Sequence, residues 1–293
     1  MAKKAMKCLT AFPFSNVSCA FFASTFIPIL IIFLVNLDYG CSYRHERMPR
    51  VYGNRMPKSM LTTESRKVQE KIVAYHNFFR ANVRPKASNM LEMSWHSGAA
   101  KAAQRWADQC QMLTHDNATD RWTEYYGPCG QNIFVATHKV PWFFALKMWN
   151  LEHRNFTYGS QKNKLSVVGH YTQMVWAGSH KVGCGFSQCK TPRGKTFYNY
   201  ICNYCPIGNY MNNLGKPYNK GPPCSDCPNS CNKSSRLCTN SCPFADLWVN
   251  CHELNMDHSA WLCRDKSKEG LRRRKHCRAT CHCKNKIMPK YSL

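Results

Sequence analysis

From Cys19 to Leu37 the chain is almost wholly apolar, CAFFASTFIPILIIFLVNL, and Lys3, Lys4 and Lys7 precede it. A basic start, an apolar stretch and small residues around Gly40 and Ser42 read as a secretory signal peptide over residues 1–41. The run approaches bilayer-spanning length, so an uncleaved signal anchor is the competing reading. Either way residues 43–293 face an oxidising lumen or the cell exterior, beginning with an N-terminal extension over 42–63.

Beyond residue 60 the pattern turns periodic. In TTESRKVQEKIVAYHNFFRANV (62–83), Val68, Ile72, Tyr75 and Phe79 recur at three- and four-residue spacing, which predicts a helix capped by Thr62 or Thr63. SGAAKAAQRWADQC (97–110) predicts a second, with Ala99, Ala103, Trp106 and Cys110 on one face. PWFFALKMWNLEH (141–153) predicts a third, with Pro141 at the first helical position. The β-formers of 181–189 and 195–204 flank KTPRGK and predict a hairpin. Helices around an antiparallel sheet give an α+β sandwich.

Cysteine usage divides the chain. Of nineteen Cys, Cys8 and Cys19 lie in the targeting segment and Cys41 at the expected cleavage point, which leaves sixteen. An even number in a secreted chain is the arithmetic of a disulfide framework, with Cys41 an extra thiol if cleavage retains it. Six fall at 110, 129, 184, 189, 202 and 205; ten crowd into residues 221–293, a boundary marked by the turn-rich NKGPPC (219–224). The first part is long enough to bury a core, whereas the second depends on cross-links. CHC and CSDC offer zinc-like spacing, but cysteines in an oxidising compartment pair with one another.

The formal charge is +25, from 41 Lys and Arg against 16 Asp and Glu, with a concentration in residues 264–290. Such a surplus suits anionic membranes, glycans or acidic channel vestibules, and in a secreted chain it does not point to nucleic acid. The plainer reading of the run is a solvated basic face.

GHYTQMVW (169–176) and YICNYCPIGNY (200–210) resemble the two signatures of the CAP superfamily. HNFFRANVRPKASNMLEMSW (76–95) and CTNSC (238–242) narrow the resemblance to the cysteine-rich secretory proteins, or CRISPs, from about residue 64 to the end. It implies a CAP α-β-α sandwich over 64–219, a disulfide-bonded hinge over 220–241 and a toxin-like helical module over 242–293 that regulates ion channels. It further implies eight pairings: Cys110–Cys189, Cys129–Cys205, Cys184–Cys202, Cys224–Cys231, Cys227–Cys238, Cys242–Cys283, Cys251–Cys277 and Cys263–Cys281.

The same resemblance implies a cleft lined by two His and two Glu. His115, His170 and Glu152 fall at three of these positions, but the fourth is Gln131, in CGQN where relatives carry GEN. Two imidazoles can hold Zn²⁺ with water completing the shell, and Gln131 supplies neither a base nor a balancing charge. The competing reading is that His170 and Glu152 only join helix to sheet. Catalysis is not expected, because no Ser or Cys nucleophile sits in a recognisable motif with a base. Asn117, Asn155 and Asn232 open glycosylation sequons.

The resemblance implies a monomeric, non-enzymatic secreted binding protein, acting on an ion channel or another membrane protein. Vertebrate CRISPs work in sperm maturation and sperm–egg encounter, in venoms and in defence. A channel-blocking surface needs a cation beside an aromatic ring, and the module offers Trp248, Trp261, Arg264, Lys266 and Lys268. The alternative is sterol or lipid carriage on Trp142, Phe143 and Phe144, against the plainer expectation that these are core residues.

Overall fold

The computed structural model describes residues 53–288. The expected signal peptide, Cys41 and the first part of the N-terminal extension lie outside the described residues. No helix among the described residues is long and apolar enough to cross a membrane.

The larger part is a sheet between helices. Strand β1 (Ser94–Trp95) is followed, after short β2 (Trp122–Thr123) and β3 (Gly127–Pro128), by β4 (Gly130–Ala136), β5 (Lys181–Lys190) and β6 (Thr196–Cys205). The sheet order is β1-β5-β6-β4, antiparallel except at the β1–β5 edge, which is parallel. The predicted hairpin is present, closed by Thr191 N–H donating to Lys195 O at 2.8 Å.

Helix α1 (Arg66–Ala81), α3 (Trp142–Leu151) and α4 (Leu165–Met174) cover one face of the sheet, and α2 (Ser97–Asp108) covers the other. Alternation along β6 sorts its side chains accordingly. Tyr198, Tyr200, Cys202 and Tyr204 enter the large core with Ile72, Phe79, Trp142 and Met174, while Ile201 meets Ala103 and Ala107 of α2. Helix α2 comes unusually close to the sheet. A Cβ at Gly183 would sit 2.2 Å from Ala100 N, and one at Gly185 would sit 2.5 Å from Gln104 Cα. The Ala-rich helix and the glycines at 183 and 185 are therefore one packing solution.

Three local expectations are corrected. The cap of α1 is Ser65 rather than Thr62 or Thr63, and Thr63 is buried with its hydroxyl turned toward Gln104. Pro141 precedes α3 at the cap position. On α2 the buried residues are Ala99, Ala102, Ala103 and Ala107, with Trp106 only half-buried and Cys110 past the helix end. The α2 stripe follows its small residues because glycine strands leave no depth for an indole.

The second part is held by cystines. Strands β7 (Cys231–Asn232) and β8 (Leu237–Cys238) form a minimal ribbon. It docks on the sandwich where Cys238 N–H donates to Met90 O and Glu92 N–H to Cys238 O, both at 2.8 Å. Helices α5 (Cys251–Ser259), α6 (Lys268–His276) and α7 (Arg278–His282) follow, with a wide helical turn at Ala260–Arg264. All eight pairings expected from the family resemblance are bonded.

Two buried histidines make the sandwich acid-sensitive. His76 is enclosed, with Nδ1 against Ile72 O at 2.8 Å and Nε2 against the Tyr204 hydroxyl at 2.9 Å, and burial pulls its pKa down to about 4. His180 is likewise pulled down to about 4 by burial. Both are depressed below their unfolded value, so the unfolded chain binds more protons between the two. Their contribution is complete above about pH 6.5 and is lost as pH falls toward 4. Thermal melts followed by circular dichroism should show the midpoint dropping across that window. The variant pair His76→Gln and His180→Gln should flatten the slope, and an unchanged slope would remove these groups from the account.

Candidate functional site

The segment from Cys110 to Asp116 leaves the end of α2 and is pinned three ways. Cys110 is bonded to Cys189, Trp106 Nε1 donates to Thr114 O at 2.8 Å, and Arg121 pairs with the buried Asp116. This presents His115 at the surface beside the start of β4. There its Nδ1 lies 2.8 Å from Gln131 Oε1. Gln131 is buried and its Nε2 donates to Asn203 Oδ1 at 3.1 Å; Asn203 Nδ2 donates in turn to Ala99 O at 3.4 Å.

The chain of donors has one direction. Ala99 O can only accept, which orients the Asn203 amide, which orients the Gln131 amide, so Gln131 Oε1 accepts from His115 Nδ1–H. The Nε2 lone pair of His115 is left available.

His170 is built by other elements. It projects from α4, stacks on Trp149 with ring centres 6.1 Å apart, and sets Nδ1 2.6 Å from Glu152 Oε1. Glu152 sits at the C-terminal cap of α3, and its second oxygen accepts from Tyr171 N–H at 3.0 Å. Asn132 donates to His170 O at 3.0 Å. Gln131 and Asn132 are consecutive on β4, so their side chains leave opposite faces of the strand. The two histidines thus flank one strand end, each with Nδ1 held as a donor.

Histidines that ligate metals are held in the same way, with a fixed Nδ1–H that orients the free Nε2. Each histidine keeps an Nε2 lone pair, the donor type that a divalent ion takes from a protein. Cys224, Cys227 and Cys238 also converge, within 4.8 Å, but all are cystine sulfurs and have no thiolate to offer.

Asn203 and Asn132 were not found from sequence. Their signal was polar residues on strands otherwise filled with core side chains. Of the residues considered for lipid contact, Trp142 is buried with Nε1 donating to Leu61 O, while Phe143 and Phe144 are half-buried against the core, Phe143 on Tyr75 and Phe79 and Phe144 on Phe134. Asn117 and Asn155 are exposed, whereas Asn232 is half-buried with its amide donating to Glu92.

A three-layer sandwich carrying a histidine pair at a strand end, followed by a cystine-built ribbon and helical knob, defines a CAP protein with a C-terminal cysteine-rich extension. Comparison with known proteins agrees. Residues 73–204 match the model of the CAP cysteine-rich secretory protein family, and residues 224–288 match the Crisp model. The chain is 37% identical to Cysteine-rich secretory protein 3 of Homo sapiens over 266 residues, covering 90% of this chain and 99% of the relative. Against Cysteine-rich secretory protein 2 of Homo sapiens it is 42% identical, covering 78% and 88%. A solved structure of Na-ASP-1 superposes with a TM-score of 0.51 at 26% identity, covering 66% of this chain and 52% of that one. The chain belongs to the cysteine-rich secretory protein family.

Replacing Gln131 by Glu should tighten Zn²⁺ binding. The Asn203 amide must then turn to donate to the carboxylate, but the contact it gives up with Ala99 is long, at 3.4 Å. A charge-assisted bond is about twice as strong as a neutral one, so the gain exceeds the loss. In calorimetry Gln131→Glu should bind more tightly than the parent, and His115→Ala with His170→Ala should not bind. Equal affinities in all three would place the ion elsewhere.

Proposed function

We propose that this is a secreted, non-enzymatic binding protein whose C-terminal knob modulates a membrane protein, an ion channel in the first instance, in a reproductive setting. The relatives it matches are named as secretory, and the eight cystines suit an oxidising exterior. The histidine pair serves as a divalent-ion site rather than a hydrolytic centre. Both Glu152 oxygens are committed to His170 and Tyr171, and Gln131 cannot take a proton.

The observation that carries the channel reading is at Trp261. Its ring is 46% exposed and the Arg273 guanidinium lies over it, 4.0 Å from the centroid. Asp265 anchors Arg273 from the side, and Arg264 and Lys266 are exposed nearby in sequence. A cation beside a rigid ring is the chemistry of a pore-rim contact. Trp248 takes no part, since it stacks on His276 at 4.7 Å.

Recordings from cation channels should show modulation by the full disulfide-bonded protein, weakened by added salt and by Trp261→Ala. A folded protein inert on calcium, potassium and ryanodine-type channels would sink the reading.

A second reading, lipid carriage, is favoured by one cavity of about 380 Å³ among Met56, Pro57, Met60, Val68, Tyr75, Pro141 and Trp142, with Arg55 and Lys71 at its edge. Its size is in the range of small-ligand sites. A fluorescent fatty acid should bind the protein and be lost on Val68→Arg, and a probe that binds both proteins equally would dismiss the cavity.

A further inference from the structure

Helix α6 carries a second cationic surface, on the side away from Trp261. Lys268, Arg272 and Lys275 are spaced by four and three residues and share one side of the helix, while Arg273 lies well round from them. Arg278 and His282 continue the row on α7 at four-residue spacing. Together with Glu269, Leu271 and Arg274 these residues line an open trough of about 860 Å³. The side chains of Lys268, Arg272 and Lys275 are exposed and have no partner among the described residues. Of the two acids in residues 264–288, Asp265 is taken by Arg273 and Ser267, so Glu269 alone opposes the row.

We propose that this trough binds a linear sulfated glycan. A row of cations about 10 Å long on α6, extended by α7, fits a polymer with repeated anionic groups better than it fits a single small anion. Arginine's planar fork matches an oxyanion through paired N–H donors. Exposed Leu271 gives the C–H face of a sugar ring an apolar contact inside the trough. Two other polyanions fit less well. Anionic lipid is concentrated on the cytoplasmic leaflet, and a concave trough does not lie flat on a bilayer. Nucleic acid belongs to the reducing side, which a cystine-built knob does not share.

The test uses the full disulfide-bonded protein over an immobilised heparin octasaccharide at ~0.15 M and ~0.5 M NaCl. Binding should weaken steeply with salt. The variant Lys268→Ser, Arg272→Ser, Lys275→Ser should lose roughly tenfold or more in affinity. A control removing the same formal charge at the β5–β6 turn, Lys190→Ser, Arg193→Ser, Lys195→Ser, should change it little. Glu269→Gln should strengthen binding, a gain that misfolding cannot imitate. Desulfated heparin should fail to compete.

Equal losses in the two triple variants would overturn the proposal in favour of net charge alone. It would also be overturned if phosphatidylserine vesicles bound in a trough-dependent way while the octasaccharide did not. Because Trp261 lies outside the trough, Trp261→Ala should leave octasaccharide binding intact, so this result and the channel result fail independently.

Discussion

The Arg80 guanidinium is the contact on which the rest of the molecule depends. It is 1% exposed, and no carboxylate among the described residues is paired with it. Nε and Nη2 donate to Leu91 O at 2.9 and 2.8 Å, Nη1 to Met174 O and Trp176 O at 2.9 Å each, and Nη2 to Ala177 O at 3.1 Å. All five N–H groups are thereby used. Burial lowers its pKa to about 9, a measure of how far water has been excluded. The carbonyls it gathers belong to the end of α4, the turn after it and the strand-like stretch at Leu91. The helix bearing His170 is thus fixed to α1, and Leu91 pairs with Cys238 of the hinge ribbon. A buried guanidinium deprived of such partners costs several kcal/mol. One side chain on α1 therefore holds both the layer of the histidine pair and the seat of the C-terminal part.

Covalent and non-covalent stabilisation divide along the chain as burial does. The sandwich has a continuous core from Met56 to Tyr218, joined by Leu237. The knob has only small clusters, Cys251, Leu262 and Cys277 in one and Cys242, Ala279 and Cys283 in the other, where half-cystines are most of the buried residues. Its three disulfides close separations of 41, 26 and 18 residues. In the chain-entropy view each contributes roughly 3–4 kcal/mol. That replaces the hydrophobic driving force a segment this short cannot gather.

What was legible in the sequence follows the same division. Helices α1, α2 and α3 were readable from their spacing of apolar and small residues, and the β5–β6 hairpin, though buried on both faces, from the β-formers that flank KTPRGK. Strand β4 and helix α4 were not read as elements. In β4 the run Gly130 to Ile133 is buried on both faces, and α4 mixes core residues with the polar Thr172 and Gln173, also buried. Neither shows a clean alternation. At the site His115, His170, Glu152 and Gln131 were found by family motif. The partners that fix their proton positions, Asn203 and Asn132, come from strand register, which a single sequence does not state.

The knob's charge has no explanation in its own stability. Helix α6 buries only Gly270, whose added Cβ would strike Asp265 at 2.4 Å, and it packs no apolar stripe inward. Its start is set by Ser267 Oγ accepting from Gly270 N–H; Arg273 is anchored by Asp265, and Arg274 donates to Cys263 O at 3.4 Å. Lys268 and Arg272, at i,i+4, and Arg272 and Lys275, at i,i+3, set like charges side by side, which a free helix would resist by a few tenths of a kcal/mol per pair. Only part of this is relieved by charges near the C-terminal end of the helix dipole. The cystines at Cys263 and Cys277 bracket the helix and hold it despite the repulsion. A fold stapled in this way can present charge that packing alone would not tolerate, and that freedom separates the work of the knob from that of the sandwich.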